Sequence, residues 1–277
     1  MAITKITTPE LFNLQSNNTE GTQLPVMTTT EREAMTGMSN GELIFNSTTD
    51  SVEYYDAGVP AWYKIDYAAG GVNPTANILY LDANNSTSYS GTGSTWFDLS
   101  GNNHNGTITG ASYNSTEKSF QFSGSTSQYV NISNYGLNAT KAFSVWIKPN
   151  DYSTRFPLAI GDGQSQETFI YLDNTYTTIR IGNNQARYLY NNTASFFNVI
   201  GNVNSSNNVD LWIDGVKRAT SSGSPVTVTP TTAYIGARIN SGNFSQGYNG
   251  YISKIQLYDT GLTDLEVAAL FAQGKGF

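Results

Sequence analysis

Three glutamates, Glu117, Glu167 and Glu266, stand C-terminal of residue 76. Hydrolysis of a glycosidic bond needs two carboxyl groups, one to give a proton and one to act as nucleophile or base. None of the three has a second carboxylate at the spacing that would put both on one strand face. His104 is the single histidine and lies in the turn-rich stretch DLSGNNHNG. With no grouped serine and acid to complete a triad, it reads as a solvated loop residue. What the chain has in quantity is rings and amides, including 18 tyrosines. Sugars are held by rings stacked on their faces and by amides bonded to their hydroxyls. The loops offer Tyr152, Tyr176, Tyr188, Tyr190, Phe244 and Tyr248, with Asn183, Asn184 and Gln185 beside them. These are the candidate glycan contacts, weighed against the ordinary fate of a sandwich tyrosine, which is half-burial on a strand. Trp96, Trp146 and Trp212 sit in strand-like contexts and read as core; Trp62 reads as packing within the N-terminal unit.

The elements that must position these groups are strands. Only 13% of the 277 residues are charged, while aromatics also reach 13%. Tyr, Thr and Val favour pleated surfaces, and Gly and Asn tolerate tight turns. Long helices and disorder are both disfavoured. The net charge is -7 with no basic cluster, which argues against a nucleic-acid partner. No apolar run approaches the roughly 20 residues of a membrane helix, so no membrane insertion is expected. MAITKITTPELF lacks an apolar h-region and predicts no cleaved signal. With no cysteine, disulfides, thiolate zinc sites and cysteine nucleophiles are ruled out, and the expected origin is bacterial or viral.

Residues 1–23 form a polar opening segment and 24–67 a small β-rich unit. There, LPVMTTTEREAM leads into a helical turn with threonine caps and Glu31 and Glu33 near its start. ELIFNS and SVEYYD follow as strands. Residues 68–75 (AAGGVNPT) read as a linker, and 76–277 as one large domain. Its candidate strands are NILYLDA, KSFQFSG, QYVNIS, AFSVWIKP, TFIYLD, TTIRIG, ARYLYN, FFNVIG, VDLWID, AYIGARI and GYISKIQLYD. Short strands separated by Gly, Asn, Ser and Pro predict a mostly β, two-sheet antiparallel sandwich or jelly roll. Asp214-Gly215 predicts a two-residue hairpin turn. Thr263 and Glu266 have capping-box spacing for one short C-terminal helix, with Leu262, Leu265, Val267, Leu270 and Phe271 as its buried side.

From about Ile78 to Phe277 the chain resembles the laminin-G-like, concanavalin-A-like jelly-roll family. The resemblance rests on LYLDANNSTSYSGTGSTWFDLSGNNHNGTITG, FQFSGSTSQYVNI, AFSVWIKP, LWIDGV, YIGARI and GYISKIQLYD followed by LTDLEV, in that order. The fold includes glucanases with an E-x-D-x-x-E-like carboxylate strand, a pattern missing here. The resemblance also implies a possible Ca²⁺ at the sandwich rim, although no cofactor is required. Calcium takes 6–8 oxygens, and the candidates are Asp162, Asp173 with Asn174, and Asn240 to Asn243.

The N-terminal LPVMTTTEREAM, NGELIFNSTT, VEYYD and PAWYKI resemble a short module of bacteriophage tail-fibre and other virion structural proteins. Together the two resemblances imply a non-enzymatic phage protein on the virion surface, on the capsid or a tail appendage. Residues 1–75 would bind other virion proteins and form a homotrimer, and 76–277 would meet a host surface polysaccharide. Two other readings are a capsid decoration protein without glycan binding and, more remotely, a polysaccharide-degrading enzyme.

Overall fold

The computed structural model describes residues 24–49, 51–58, 60–64, 77–132, 140–161, 167–223, 233–240 and 242–275. The chain divides into two compact units, Met1–Tyr67 and Ala68–Phe277.

The first unit contains β1 (Val26–Met27), α1 (Thr29–Glu33), β2 (Leu43–Asn46), β3 (Ser51–Asp56) and β4 (Ala61–Lys64), in sheet order β1-β2-β3-β4. Thr28 caps α1: its hydroxyl accepts from the Glu31 N–H, and the Glu31 carboxylate takes the Thr28 N–H at 2.8 Å. This is the reciprocal arrangement that satisfies two otherwise orphaned donors. Met27 and Ile44 are buried. Asn46 and Glu53 are buried with them, bonded to each other at 3.0 Å, and Arg32 neutralises Glu53 at 2.7 Å. Cross-strand pairs Tyr54–Tyr63 and Tyr55–Trp62 bring rings to 5.6 and 5.4 Å, so Trp62 does pack inside this unit.

The second unit runs β5 (Leu79–Asp82), β6 (Thr95–Trp96), β7 (Gly106–Thr109), β8 (Ser112–Asn114), β9 (Ser119–Ser123), β10 (Tyr129–Ile132) and β11 (Ala142–Pro149). Then follow β12 (Arg155–Ile160), β13 (Thr168–Asp173), β14 (Tyr176–Ile181), β15 (Asn184–Leu189), β16 (Phe197–Val203), β17 (Val209–Ile213) and β18 (Val216–Ser221). It ends with β19 (Ala233–Ile235), β20 (Arg238–Asn240), β21 (Asn243–Ser245), β22 (Asn249–Tyr258) and α2 (Asp264–Ala272). Among the described residues these form two eight-stranded sheets and the separate two-stranded pair β20-β21. Sheet I has the order β15-β14-β13-β12-β19-β10-β7-β6. Sheet II has the order β18-β17-β16-β11-β22-β9-β8, with β5 also paired to β22. The pairings within both sheets are antiparallel. The expected β-sandwich is therefore present. No helix of the described residues is long and apolar enough to cross a membrane.

Strand alternation builds the core. Phe143, Val145 and Ile147 on β11 face Leu158, Ile170, Ile179 and Ile235 from sheet I. The opposite side of β11 carries Ala142, Ser144 and Trp146, yet these are buried too. α2 lies on that side: Leu262, Val267 and Leu270 pack with Ala142, Ile200, Trp212 and Tyr258. Sheet II is thus dry on both faces where the helix covers it, and its strands read as unbroken apolar runs. Trp96, Trp146 and Trp212 are buried as expected.

The hairpin turn and the helix cap follow the sequence. Asp214 and Gly215 take φ of 50° and 70° between β17 and β18, the paired positive values of a tight two-residue turn. Thr263 and Glu266 form the full capping box. Three expectations need correction. Leu265 is 63% exposed, and Ala269 takes a buried place instead. AYIGARI is two strands, because Gly236 turns to φ 84° and the chain leaves sheet I there. RFPLAI, unmarked by alternation, is β12. Its Pro157 falls where the register shifts between Arg155 and Leu158, a position that tolerates a missing N–H.

Candidate functional site

The predicted glycan contacts separate by face. Tyr248 is fully buried, its ring 6.0 Å from Phe122, and burial pushes its phenol far up. Tyr152 is buried as well, and its oxygen accepts the Asn192 N–H at 3.0 Å. Both close the ends of the core, so neither offers a face to a sugar. Tyr190 is tied inward too, its ring 5.0 Å from Phe197 and its hydroxyl on Asp214 at 3.3 Å. Their loops looked exposed in sequence, but a sandwich fills its ends with large side chains from those same loops.

The β14–β15 hairpin gathers the rest. Tyr176 and Tyr188 stand on it, Asn183 lies in its exposed turn, and Asn184 donates to the Gly223 carbonyl. The Arg187 guanidinium lies 4.1 Å from the Tyr176 ring centre. Tyr188, 36% exposed, points to the other side of β15, where Arg218 covers it at 5.5 Å. Phe244 is elsewhere, on β21, stacked on Tyr129 at 4.2 Å and edge-on to Tyr234 at 5.3 Å.

Register shows a surface that loop reading missed. On β13 and β14, Ile170, Leu172, Ile179 and Ile181 enter the core, so Phe169, Tyr171, Tyr176, Thr178 and Arg180 take the outer face of sheet I. Pairing then aligns Asn131, Tyr234, Ala159, Phe169, Arg180 and Gln185 in one row across β10, β19, β12, β13, β14 and β15. Ala159 is the small member between two rings, packed with Phe156 and Phe169, with Tyr171 at their edge. Arg238 on β20 lies over Phe156 at 5.1 Å and pairs with the buried Glu167. The signal available in sequence was the alternation in TFIYLD and TTIRIG, which assigns ring and guanidinium side chains to one face.

The three glutamates of this unit are occupied. Glu117 holds Lys148 at 2.6 Å, and that bond keeps its carboxyl below the usual range. Glu167 is clasped by Arg238, and Glu266 caps α2. His104 is mostly buried, not solvated, with its backbone N–H on Asp98 at 3.0 Å. Of the calcium candidates, Asp162 lies outside the described residues. Asp173 ends β13 opposite Tyr176, and Asn240 ends β20 opposite Asn243. Among the described residues, no three His, Asp or Glu side chains gather as a metal-holding group.

The family described as Concanavalin A-like lectin/glucanases superfamily matches residues 122–268, more than half of the chain. No curated protein sequence matches. Among solved structures, domain 4 of AbnA, an extracellular arabinanase from Geobacillus stearothermophilus in complex with arabinotriose, aligns with TM-score 0.52 at 17% identity over 71% of this chain and 98% of that one. The receptor binding domain of botulinum neurotoxin type G aligns with TM-score 0.54 at 11% identity over 71% of this chain. The binding domain of botulinum neurotoxin serotype D gives 0.54 at 14% over 72%. The chain spans about half of each neurotoxin domain, 51% and 52%.

Proposed function

The chain belongs to the concanavalin A-like lectin/glucanases superfamily, and on that premise we propose that residues 76–277 bind a glycan and perform no hydrolysis. One observation carries this reading. The outer face of sheet I presents rings, guanidiniums and amides in register, while Glu117, Glu167 and Glu266 are each held by another partner. A sugar needs an aromatic platform bordered by hydrogen-bonding groups, and hydrolysis needs a free carboxyl pair. The arabinanase domain of the same fold is seen with arabinotriose, and the toxin domains are receptor-binding or binding domains, which favours binding over catalysis.

The wider proposal is a virion surface protein of a bacteriophage. Its support is the resemblance of residues 24–67 to a virion module. In this reading, residues 1–75 attach the protein to other virion components as a homotrimer. The sandwich then meets host polysaccharide from the capsid or a tail appendage.

The test is a glycan array with the full chain, followed by titration of the hits. Tyr171→Ala with Tyr176→Ala should abolish binding and leave the melting temperature nearly unchanged. A chain that binds no glycan, yet whose removal makes particles fall apart, would establish the decoration reading instead. Release of oligosaccharides, lost on Glu167→Gln with the fold intact, would establish the enzymatic one.

A further inference from the structure

The chain has six arginines and a net charge of -7, so every guanidinium has carboxylates to choose from. Three choose one: Arg32 with Glu53, Arg155 with Asp151, and Arg238 with Glu167. Among the described residues Arg180, Arg187 and Arg218 pair with none. Each lies against a ring instead: Arg180 at 5.8 Å from Phe169, Arg187 at 4.1 Å from Tyr176, Arg218 at 5.5 Å from Tyr188.

Arg180 and Arg187 also share a face. Thr178 pairs with Arg187, and Arg180 with Gln185. The two arginines are therefore diagonal neighbours on β14 and β15, about 7–8 Å apart at the backbone. Two like charges so placed repel, and among the described residues no carboxylate forms an ion pair with either. Between them Thr178 is buried, and its hydroxyl has no hydrogen-bond partner among the described residues. Asp173, opposite Tyr176, bounds the patch at the end away from Arg180.

Resting on the glycan-binding reading above, we propose that Tyr176, Thr178, Arg180 and Arg187 form a subsite for an acidic sugar, one bearing a carboxylate. The carboxylate sits between the two guanidiniums, whose planar forks match it. Arg187 leaves the Tyr176 ring to reach it. That movement frees the ring for the sugar face and opens Thr178 to a sugar hydroxyl. A charge-assisted bond to a carboxylate is stronger than an exposed cation–π contact, so the exchange is favourable only for an anionic ligand. Asp173 repels the carboxylate at the other end and fixes which way round the sugar lies.

The experiment uses the full chain with two matched pairs of probes: polygalacturonate against its methyl ester, and sialyllactose against lactose. At low salt at least one acidic probe should bind roughly tenfold more tightly than its neutral partner, with the gap closing as salt rises. Arg187→Gln and Arg180→Gln should each remove roughly tenfold for the acidic probe, with the melting temperature held. Arg187→Lys, which keeps the charge and loses the fork, should recover only part. Arg218→Gln, round the edge of β15, should change little. Equal affinity for acidic and neutral probes overturns the acidic subsite and leaves glycan binding standing; so does an Arg187→Gln chain that binds as before. If no glycan on the array binds at all, both fall.

Discussion

Asn202 holds Leu262 with both ends of its amide: its Nδ2 donates to the Leu262 carbonyl at 2.8 Å, and its Oδ1 accepts the Leu262 N–H at 2.7 Å. Asn202 is fully buried on β16 and Leu262 lies two residues before α2. The pair therefore joins the back of sheet II to the entry of the helix. It satisfies two backbone groups that would otherwise be buried without partners.

Asn202→Ala should cost about 2–4 kcal/mol, because two hydrogen bonds go and a buried N–H and C=O are left unsatisfied. Chemical denaturation measures it. Asn202→Asp should be no rescue, since its second oxygen faces the Leu262 carbonyl and cannot donate to it while ionised. A loss under half a kcal/mol for Asn202→Ala would mean that the helix is held by its apolar contacts alone.

Gly236→Ala should destabilise the sandwich by on the order of 3 kcal/mol. The backbone there is at φ 84°, and an added Cβ would come within 2.3 Å of the Phe122 ring. The Gly236 N–H also bonds Pro157 and its carbonyl takes the Tyr248 N–H. A thermal melt reads the loss; an unchanged midpoint would show that Phe122 can move aside.

Acid should weaken the fold through Asp151. The Arg155 guanidinium at 2.7 Å, with Asn249 and Ser153, holds its carboxyl well below the usual carboxylate range. A carboxyl depressed in the folded state contributes stability above its unfolded pKa of about 3.9, and loses it as the pH falls toward the folded value. Stability should therefore decline below about pH 4, and Asp151→Asn should flatten that part of the curve. An equally steep acid slope in the variant would assign the effect elsewhere, with Glu117 the next candidate.

Calcium, if held at the sandwich rim, should raise the melting temperature relative to excess chelator, and an unchanged value would leave Asp162, Asp173 and Asn240 as ordinary turn residues. A clear rise with added calcium would point to the rim near Asp162, Asp173 and Asn240, and Asp173→Asn should then remove it.

Local chemistry was legible in the sequence wherever a few adjacent residues decide the outcome. Asp214-Gly215, the Thr263–Glu266 capping box and the threonine cap of α1 are such cases, because the turn and the caps need only their own side chains. The surface of sheet I was not legible in the same way. Its central row takes one residue from each of six strands, and β10 and β19 join the consecutive β12–β15 from distant parts of the chain. Only the pairing order puts Tyr234 beside Ala159 and Ala159 beside Phe169. Tyr176 and Tyr248 are the same residue type in similar polar stretches, yet one lies on the outer face and the other closes the core. Pro157 hid β12 by interrupting the pattern that marked its neighbours.

β22 pairs with β11, β9 and β5 at the middle of sheet II, and it is the last strand of either sheet in chain order. During synthesis, β5, β8 and β9 on one side and β11 with β16–β18 on the other have no strand of their own sheet to join them until residue 258 has emerged. The open edges of β11 and β9 are meanwhile templates for wrong partners. The sandwich must therefore fold after its translation rather than along with it, slowly, as long-range pairings do. A nascent chain stalled before Asn249 would be an aggregation-prone species with its central strand missing.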